Sequence, residues 1–401
     1  MEFQRIIFIS FLFLLLGVDS SDFPMNDLIT KLLGQPNVNF RQFAGYTDVD
    51  ENVASQSLFY YFVEAEKDPM TQPLTIWLTG GPGCSSVGDG FRSVGPFIFT
   101  KDAHALQTKF FFLGTKNHKM LYDYNNGDDS TNNILLIFMQ KWYAKYLVFK
   151  SKDLYLAGSS FAGHFVPNLA NALLDDNKQF EQSKFNLKGL VLGNPMLLQK
   201  CKNLTFEANL TAFKTDAHNY SPQKLFDVFR APCAENEQDL NLGKRVPKVS
   251  SEVDMCIPLR VEFYFNLSEV QKAFHGNRTN FIILNSTSFK YNEADKDLDM
   301  LLALQNLLQQ SIPITIFSGD QDGIIPTMGT LQHLEKLAEE LNIKLTKEET
   351  WSFNNKERGL KYEFGDLLKF LTVKGGNHHV TSSRPSQAFS IFKIFAINWM
   401  H

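Results

Sequence analysis

The chain has 401 residues, of which 44% are hydrophobic, and a formal net charge of -4 at pH 7. This length and composition suit one large α/β domain with insertions, and the acidic balance gives no basic surface for a nucleic acid or an anionic membrane. We therefore expect a neutral or small substrate, and no feature of the sequence specifies an oligomeric state.

Residues 1–20 have the pattern of a secretory signal peptide. Arg5 precedes a short apolar run from Ile6 to Leu16, and small residues follow it. The run is shorter than the roughly 18 apolar residues of a membrane span, and no other stretch reaches that length. We expect a mature chain of residues 21–401 that follows the secretory pathway and has no membrane association.

Sequons and cysteines agree with an oxidising, glycosylating compartment. Four cysteines, including Cys84 and Cys201, allow three pairings, and we favour a disulfide between Cys233 and Cys256. Cys84 is equally well explained as a small buried residue in a tight turn. The predicted N-glycosylation sites are Asn203, Asn209, Asn219, Asn266, Asn277 and Asn285.

The first predicted elements are a β-hairpin and a buried strand. Phe43–Val49 and Ser57–Glu64 are β-rich runs separated by turn residues, and Pro73–Leu78 is a short apolar run. A glycine-rich loop, Gly80–Ser86, follows. It lacks the residues of both common phosphate-binding motifs, so we interpret it as one half of an oxyanion hole, an interpretation that depends on the serine motif downstream.

A helix and a strand–turn–helix come next. Ser130 is a predicted N-cap, and Leu135, Phe138, Trp142 and Tyr146 form an apolar stripe at helical spacing. These stripe residues are expected in the core.

Residues 154–167 then enter a turn of small residues with serine at its apex. This pattern is typical of a nucleophile elbow, and its register favours Ser160 over Ser159 as the nucleophile. Ala162 stands where the motif usually has its second glycine.

The last part of the chain supplies two strands that end in polar residues. Residues 187–195 form a strand and turn, and residues 196–300 are polar and irregular, so we interpret them as an insertion or cap over the site. Ile314–Gly323 is a strand that ends in acidic residues. Residues 370–379 are a strand that ends in histidines, and a C-terminal helix begins at Pro385.

Serine, acid and histidine, each at the end of its own strand, occur in the order of an α/β-hydrolase triad. We predict Ser160 as nucleophile, His378 as base and Asp322 as the acid, with the N–H groups of Gly81 and Phe161 as the oxyanion hole. Two alternatives stay open at this point. Asp320 could be the acid, and His379 could be the base. The adjacent histidines lack further ligands at metal spacing, so we expect no metal and no cofactor.

The chain resembles the plant serine carboxypeptidase-like family, peptidase family S10, over nearly its whole length. The stretches that carry the resemblance are residues 44–46, 57–62, 80–86, 95–97, 157–167, 193–195, 319–322 and 384–386. The resemblance implies an α/β-hydrolase fold with a mostly parallel central sheet, a vacuolar or extracellular glycoprotein, and release of C-terminal amino acids at acidic pH. It also implies the same triad.

Departures from the family pattern fall on the implied site for the substrate's terminal carboxylate. Thr79 replaces an asparagine, Ser93 and Ser159 replace glutamates, and Phe161 replaces a tyrosine, so Gly80 alone matches the family's carboxylate site. The family's central strand is not recognisable within residues 101–121. We expect it to be missing or replaced by residues 110–113. A partner for Cys84 is not evident near Asn285.

The sequence therefore predicts a secreted hydrolase with an intact triad, an altered substrate site and a peptide or small acyl substrate. An acyltransferase of the same family is the first alternative, because family acyltransferases often have threonine at the position of Thr79. The second is a catalytically impaired secretory glycoprotein.

Overall fold

A computed structural model describes residues 23–49, 57–100, 103–108, 113–118, 127–180, 185–198, 257–276, 281 and 290–398. The predicted signal peptide and the predicted Cys233–Cys256 disulfide lie outside these residues, as does Cys201. The same holds for the sequons at Asn203, Asn209, Asn219, Asn277 and Asn285.

The strands of the described residues are, in chain order, β1 (Leu28–Ile29), β2 (Gln42–Asp48), β3 (Ser57–Val63), β4 (Leu74–Thr79), β5 (Phe97–Phe99), β6 (Leu106–Thr108), β7 (Leu113–His118), β8 (Asp153–Ser159), β9 (Asn186–Gly193), β10 (Ile314–Gly319), β11 (Leu345–Phe353), β12 (Lys356–Phe364) and β13 (Leu368–Val373). The main sheet has the order β1-β2-β3-β7-β4-β8-β9-β10-β13-β12-β11, while β5 and β6 pair separately. Its central strands, from β7 to β13, are parallel, and antiparallel strands flank them on both sides. The predicted hairpin of β2 and β3 is confirmed.

The helices of the described residues are α1 (Ser86–Asp89), α2 (Asp128–Lys145), α3 (Ala162–Gln179), α4 (Ile257–Asn266), α5 (Ser268–Ala273), α6 (Glu293–Lys296), α7 (Leu301–Gln309), α8 (Thr327–Glu340), α9 (Val380–Ser383) and α10 (Pro385–Asn398). A π-helical turn, Gly90–Val94, continues from α1.

The sheet is buried on both faces because helices cover each of them, and successive side chains along a strand join opposite cores. In β4, Ile76 and Leu78 belong to the core beneath α2, α3, α7 and α8, whereas Trp77 lies on the opposite face with Phe392 of α10. The stripe predicted for α2 is in the first of these cores. The predicted C-terminal helix, α10, is confirmed, and its residues Ala388, Ile391 and Phe392 pack on the sheet.

A third core lies beside the β2–β3 hairpin. Phe265 of α4 packs against Phe91 of the π-helical turn and Phe274 at the end of α5. Residues 196–300 were expected to be irregular, and this expectation is wrong for the described part of that stretch, which contains α4, α5 and α6. Buried side chains such as Tyr264 of α4 and Val270 of α5 give these two helices a buried face, so tertiary packing holds them.

The predicted cap of α2 is also corrected. The helix begins at Asp128, two residues before Ser130, and the Ser130 hydroxyl accepts the Gly127 N–H at 3.0 Å. Ser130 therefore lies in the first turn of the helix, and its hydroxyl accepts a hydrogen bond from the residue that precedes the helix.

The central strand, expected to be missing or replaced by residues 110–113, is present a few residues later in the chain. It is β7, which begins at Leu113, the last residue of the predicted replacement, and ends at His118. It pairs with β3 on one side, where Thr115 lies opposite Tyr60, and with β4 on the other, where Gly114 lies opposite Trp77. Within the described residues the main sheet is therefore continuous.

We expect Thr115→Pro to lower the free energy of unfolding by about 1 to 3 kcal/mol or more, because proline cannot donate to a ladder and leaves a buried partner unsatisfied. Thr115→Val is the matched control, since it keeps the N–H and suits a strand. Urea unfolding of both variants measures the effect. Equal midpoints for Thr115→Pro and Thr115→Val would show that β7 does not contribute to the stability of the sheet.

Candidate active site

The turn between β8 and α3 holds Ser160 in a left-handed backbone conformation, with φ of +61°. Such a φ is uncommon for a residue with a Cβ, and it projects the side chain out of the turn. Small neighbours permit the turn, because a Cβ on Gly158 would lie 2.7 Å from the Cβ of Ala162. The Ser160 N–H donates to the carbonyl of Gly193 at the end of β9 at 3.0 Å.

The structure brings Ser160, His378 and Asp322 into one hydrogen-bonded line. The Ser160 Oγ is 2.9 Å from His378 Nε2, and His378 Nδ1 is 2.8 Å from Asp322 Oδ2. The three residues follow β8, β13 and β10, which are parallel strands whose carboxyl ends meet at one edge of the sheet. An imidazole placed this way can take a proton from the serine while the carboxylate orients it.

The Asp322 side chain is fully buried, and both of its oxygens accept hydrogen bonds. Its Oδ1 accepts the N–H groups of Ile324 and Ile325, and its Oδ2 also accepts from the Asn194 side chain at 2.6 Å. Burial alone would raise the pKa of this carboxyl, but the hydrogen bond and charge of His378 and the two backbone donors outweigh it, and the pKa lies below its usual value. Asp322 is therefore held as a carboxylate.

Asn194 was not predicted as a site residue. It has a positive φ of +45° and follows β9 directly, so its amide reaches Asp322 from the neighbouring strand. The sequence signal that could have indicated this residue is the Gly193-Asn194-Pro195 turn, which follows a predicted strand.

The two alternative triad residues lie elsewhere. Asp320 Oδ1 accepts the backbone N–H of Gly375 at 2.6 Å, and His379 Nδ1 faces the Arg92 guanidinium at 2.8 Å. The hydrogen bond to Ser160 comes from His378.

The predicted oxyanion residues lie on two backbone segments in close contact. The Gly80 N–H donates to the carbonyl of Ser159 at 3.0 Å, and a Cβ on Gly80 would overlap the backbone nitrogen of Phe161. Gly81 has a φ of +123°, which a side chain would strain. The loop after β4 therefore lies directly against the elbow. Gly81 belongs to the loop and Phe161 to the elbow.

Side chains behind the elbow hold Phe161 in place. Its ring stacks on His164 with centroids 4.2 Å apart, and it meets Tyr291 edge-on at 5.3 Å. Asp128 joins the two supports, because it contacts His164 Nδ1 at 2.8 Å and accepts a hydrogen bond from the Tyr291 hydroxyl. The fully buried His164 Nε2 has no hydrogen-bond partner among the described residues.

The predicted substrate-binding residues Thr79 and Ser93 are buried, and both hydroxyls contact Asp89. Thr79 Oγ1 donates to Asp89 Oδ2 at 2.7 Å, and Ser93 Oγ donates to the Asp89 carbonyl at 2.9 Å. Ser159, the last residue of β8, is 7% exposed. A substrate could use the Thr79 or Ser93 proton only by displacing these bonds.

Asp89 begins a chain of charged groups that sequence reasoning missed. Its Oδ1 accepts from Arg92 Nη2 at 2.6 Å and from Arg92 Nε at 3.1 Å, and its Oδ2 accepts from the Trp77 indole. Arg92 Nη2 also lies 2.8 Å from His379 Nδ1. Burial, the Arg92 charge and His378 hold the pKa of His379 well below its ordinary value.

Two further predicted residues fall within the described part of the chain. Cys84 is a free thiol there, and burial raises its pKa to about 12, so it is protonated at neutral and acidic pH. The exposed Asn266 ends α4, and its Nδ2 donates to the carbonyls of Glu262 and Phe281.

Among the described residues, no group of three or more histidine, cysteine, aspartate or glutamate side chains is arranged to hold a metal ion. No helix in the same part of the chain combines the length and apolar character needed to cross a bilayer.

The chain is an α/β-hydrolase by its fold and by the arrangement of three residues. Its mostly parallel central sheet has helices on both faces. Ser160 lies in the elbow after β8, while Asp322 and His378 follow the neighbouring strands β10 and β13.

Comparisons with known proteins give the family. The serine carboxypeptidase family model, peptidase family S10, matches residues 33–122, 111–219 and 198–398. Serine carboxypeptidase-like 44 of Arabidopsis thaliana is 38% identical over 435 residues, which cover 94% of this chain and 91% of the relative. Serine carboxypeptidase-like 42 of the same plant is also 38% identical, over 93% and 91%. The chain belongs to the serine carboxypeptidase family.

A solved structure shows the same fold. Kex1 of Saccharomyces cerevisiae, a prohormone-processing carboxypeptidase, aligns with a TM-score of 0.70 over 94% of this chain and 96% of its own, at 17% identity.

The lowered pKa of Asp322 predicts an acid dependence of stability. The folded protein keeps this carboxylate ionised where the unfolded chain, with an Asp pKa of about 3.9, binds a proton. Its contribution is therefore complete above about pH 4 and lost as the pH falls through the lower folded value. We expect the free energy of unfolding to fall more steeply below about pH 4 in the natural protein than in Asp322→Asn.

Asp175→Asn is the control for this measurement, because Asp175 is an exposed carboxylate paired with Lys178 on the same helix. Denaturant unfolding at a series of pH values gives the slopes. Parallel slopes for the natural protein and Asp322→Asn would contradict the prediction.

Proposed function

We propose that the chain is a secreted serine hydrolase that releases C-terminal amino acids from peptides through an acyl-enzyme on Ser160. The observation that carries this proposal is the hydrogen-bonded line from Ser160 through His378 to Asp322. Membership of the serine carboxypeptidase family supports the same chemistry.

In the proposed reaction, Ser160 Oγ attacks the scissile carbonyl carbon while His378 Nε2 takes the hydroxyl proton. Asp322 keeps the imidazole in the required orientation and stabilises the imidazolium. The N–H groups of Gly81 and Phe161 donate to the oxyanion of the tetrahedral intermediate. His378 then gives its proton to the leaving amine as the C–N bond breaks. Water, deprotonated by His378, attacks the acyl-enzyme and frees Ser160.

The groups around Asp322 keep it ionised by lowering its pKa. The Asn194 amide donates a hydrogen bond to the carboxylate without adding a titratable group. The carboxylate thus remains able to pair with an imidazolium as the pH falls.

The nucleophile is tested with a fluorophosphonate, which labels an activated serine. We expect Ser160→Ala to abolish labelling and to lower peptide hydrolysis by about four to six powers of ten. Ser159→Ala is the matched control, because Ser159 is the adjacent serine and ends β8 in extended conformation. It should keep labelling. Equal loss in both folded variants contradicts the assignment, and an unlabelled natural protein contradicts the whole proposal and favours an impaired glycoprotein.

Acyl transfer is the second candidate, and one observation favours it. The Thr79 and Ser93 hydroxyl protons are both directed to Asp89, so neither is available to a substrate's terminal carboxylate. Asp89 is itself a buried carboxylate next to this position, although Arg92 pairs with it. This arrangement supports a substrate without a terminal carboxylate, whose acyl group would pass from Ser160 to an alcohol.

Substrates separate the two candidates. Hydrogen bonds to charged groups contribute about 1.5 to 3 kcal/mol each, so loss of two or three should lower kcat/KM for peptides by roughly two to four powers of ten relative to a complete site. We therefore expect weak hydrolysis of an N-blocked dipeptide, with kcat/KM for the free acid within about tenfold of that for its C-terminal amide.

The comparison substrate is a glucose ester, assayed with and without an added alcohol. Ester formation that exceeds hydrolysis would favour the acyltransferase. A preference of several orders of magnitude for the free dipeptide acid would show that a complete carboxylate site exists elsewhere on the surface.

We further propose that the mature chain, residues 21–401, is one domain in which residues 196–300 form an insertion or cap, and that it reaches the extracellular space or the vacuole as a glycoprotein. The signal sequence and the sequons support this proposal. The proposed glycan at Asn266 would require one of the two bonds donated by its Nδ2 to break, because a glycosylated amide keeps a single N–H.

A further inference from the structure

His379 lies beside the triad but takes no part in it. Its ring is 5.1 Å from that of His378, centroid to centroid, and its Nδ1 is 2.8 Å from Arg92 Nη2. The residue is half-buried. The serine hydrolase mechanism uses one histidine, so the role of this second imidazole needs a separate explanation.

The contact with Arg92 determines where the imidazole proton lies. A guanidinium group has donors and no acceptor, so His379 Nδ1 must present its lone pair to Arg92. A neutral imidazole carries one proton, which is therefore on Nε2. The groups that face this ring are the Arg92 guanidinium, with the Asp89 carboxylate behind it, and the His378 imidazole. Burial and the Arg92 charge disfavour a second proton.

The ring is held from two directions. Arg92 is fixed by two hydrogen bonds to Asp89, and Asp89 is fixed by Thr79 at the end of β4. On the other side, the backbone N–H of His379 donates to the Asn377 side-chain oxygen at 2.9 Å, and His379 follows His378 directly in the chain. A donor fixed in this way loses little conformational freedom when it binds a ligand.

The protonated nitrogen is available for an interaction. In the part of the chain that the structure describes, His379 Nε2 has no hydrogen-bond partner, whereas the Thr79 and Ser93 hydroxyls are already committed to Asp89, the carboxylate that pairs with Arg92. Because His378 is the group that would protonate the leaving group, the His379 ring, 5.1 Å away centroid to centroid, lies next to the group that acts on that half of the substrate.

We propose that His379 is a substrate-binding residue whose Nε2–H donates to an acceptor oxygen on the leaving-group half of the substrate, and that Arg92 is the positioning residue that fixes this tautomer. The terminal carboxylate of a peptide is the acceptor that the proposed function supplies, and the inference rests on that function. His379 would thereby provide one donor to a carboxylate that finds none at Thr79 and Ser93.

The binding role is tested with His379→Phe, which keeps a planar ring and removes the donor. We expect kcat/KM for an N-blocked dipeptide to fall about ten- to a hundredfold, while the rate of Ser160 labelling by a fluorophosphonate, whose leaving group is fluoride, stays unchanged. His333→Phe is the matched control, because His333 is a half-buried histidine on α8 outside this cluster. It should leave both rates unchanged.

An unchanged dipeptide value in His379→Phe, with normal labelling, would overturn the binding role. A parallel fall in labelling and hydrolysis would also overturn it, since it would mean that His379 only supports the triad. Failure of the natural protein to label at Ser160 is a different result and contradicts the proposed function.

The role of Arg92 is tested on the imidazole itself by ¹⁵N NMR of the Ser160→Ala protein, which does not depend on activity. We expect His379 to carry its proton on Nε2 and to stay neutral between about pH 5 and 7, the range in which an unperturbed histidine titrates. In Arg92→Met it should titrate in that range and add an ionisation to the acid limb of the kcat/KM profile in the active protein.

Arg92→Lys supplies the conservative comparison, because lysine also donates without accepting. It should restore the Nε2-protonated form and the natural profile. A proton on Nδ1 in the natural protein, or identical titration in the natural and Arg92→Met proteins, would overturn the positioning role.

Discussion

The contact between the backbones of Gly80 and Phe161 is the constraint on which the site depends. It brings the loop after β4 onto the turn after β8, and no side chain larger than hydrogen fits at Gly80. The same contact brings the segment that contains Gly81 next to the Ser160–Phe161 turn. A parallel sheet supplies it, because Thr79 and Ser159 lie opposite each other where these strands end.

Two buried carboxylates support this contact from different sides. Asp89 ties the end of β4 to Arg92, while Asp128 ties the start of α2 to His164 and Tyr291 behind Phe161. Neither belongs to the triad. A buried carboxylate is costly unless donors surround it, so each one requires its partners to be in place. The site is thus preorganised by groups that do not contact Ser160.

Sequence reasoning selected three residues that the structure joins by hydrogen bonds, because a strand followed by a polar turn is a local pattern and three such patterns in one order are informative. It missed Arg92 and His164, whose partners lie far away in the chain and leave no local signal. It also missed β7, because Leu-Gly-Thr-Lys-Asn-His has no clear alternation of apolar residues, and the pairing with β3 and β4 makes it a strand. The predicted start of α2 was two residues too late, because Ser130 lies in the first turn and accepts the Gly127 N–H from there.

The hydrogen bonds at the site also join residues that are very distant in sequence. Ser160 and His378 are separated by 218 positions, and Arg92 and His379 by 287. Closing such long loops costs chain entropy before any contact compensates for it, so these bonds are expected to form after the strands have paired. Interactions that form after the folding transition state affect mainly the rate of unfolding. The hydrogen bonds around Ser160 should therefore lower the unfolding rate of the folded domain and leave its folding rate unchanged.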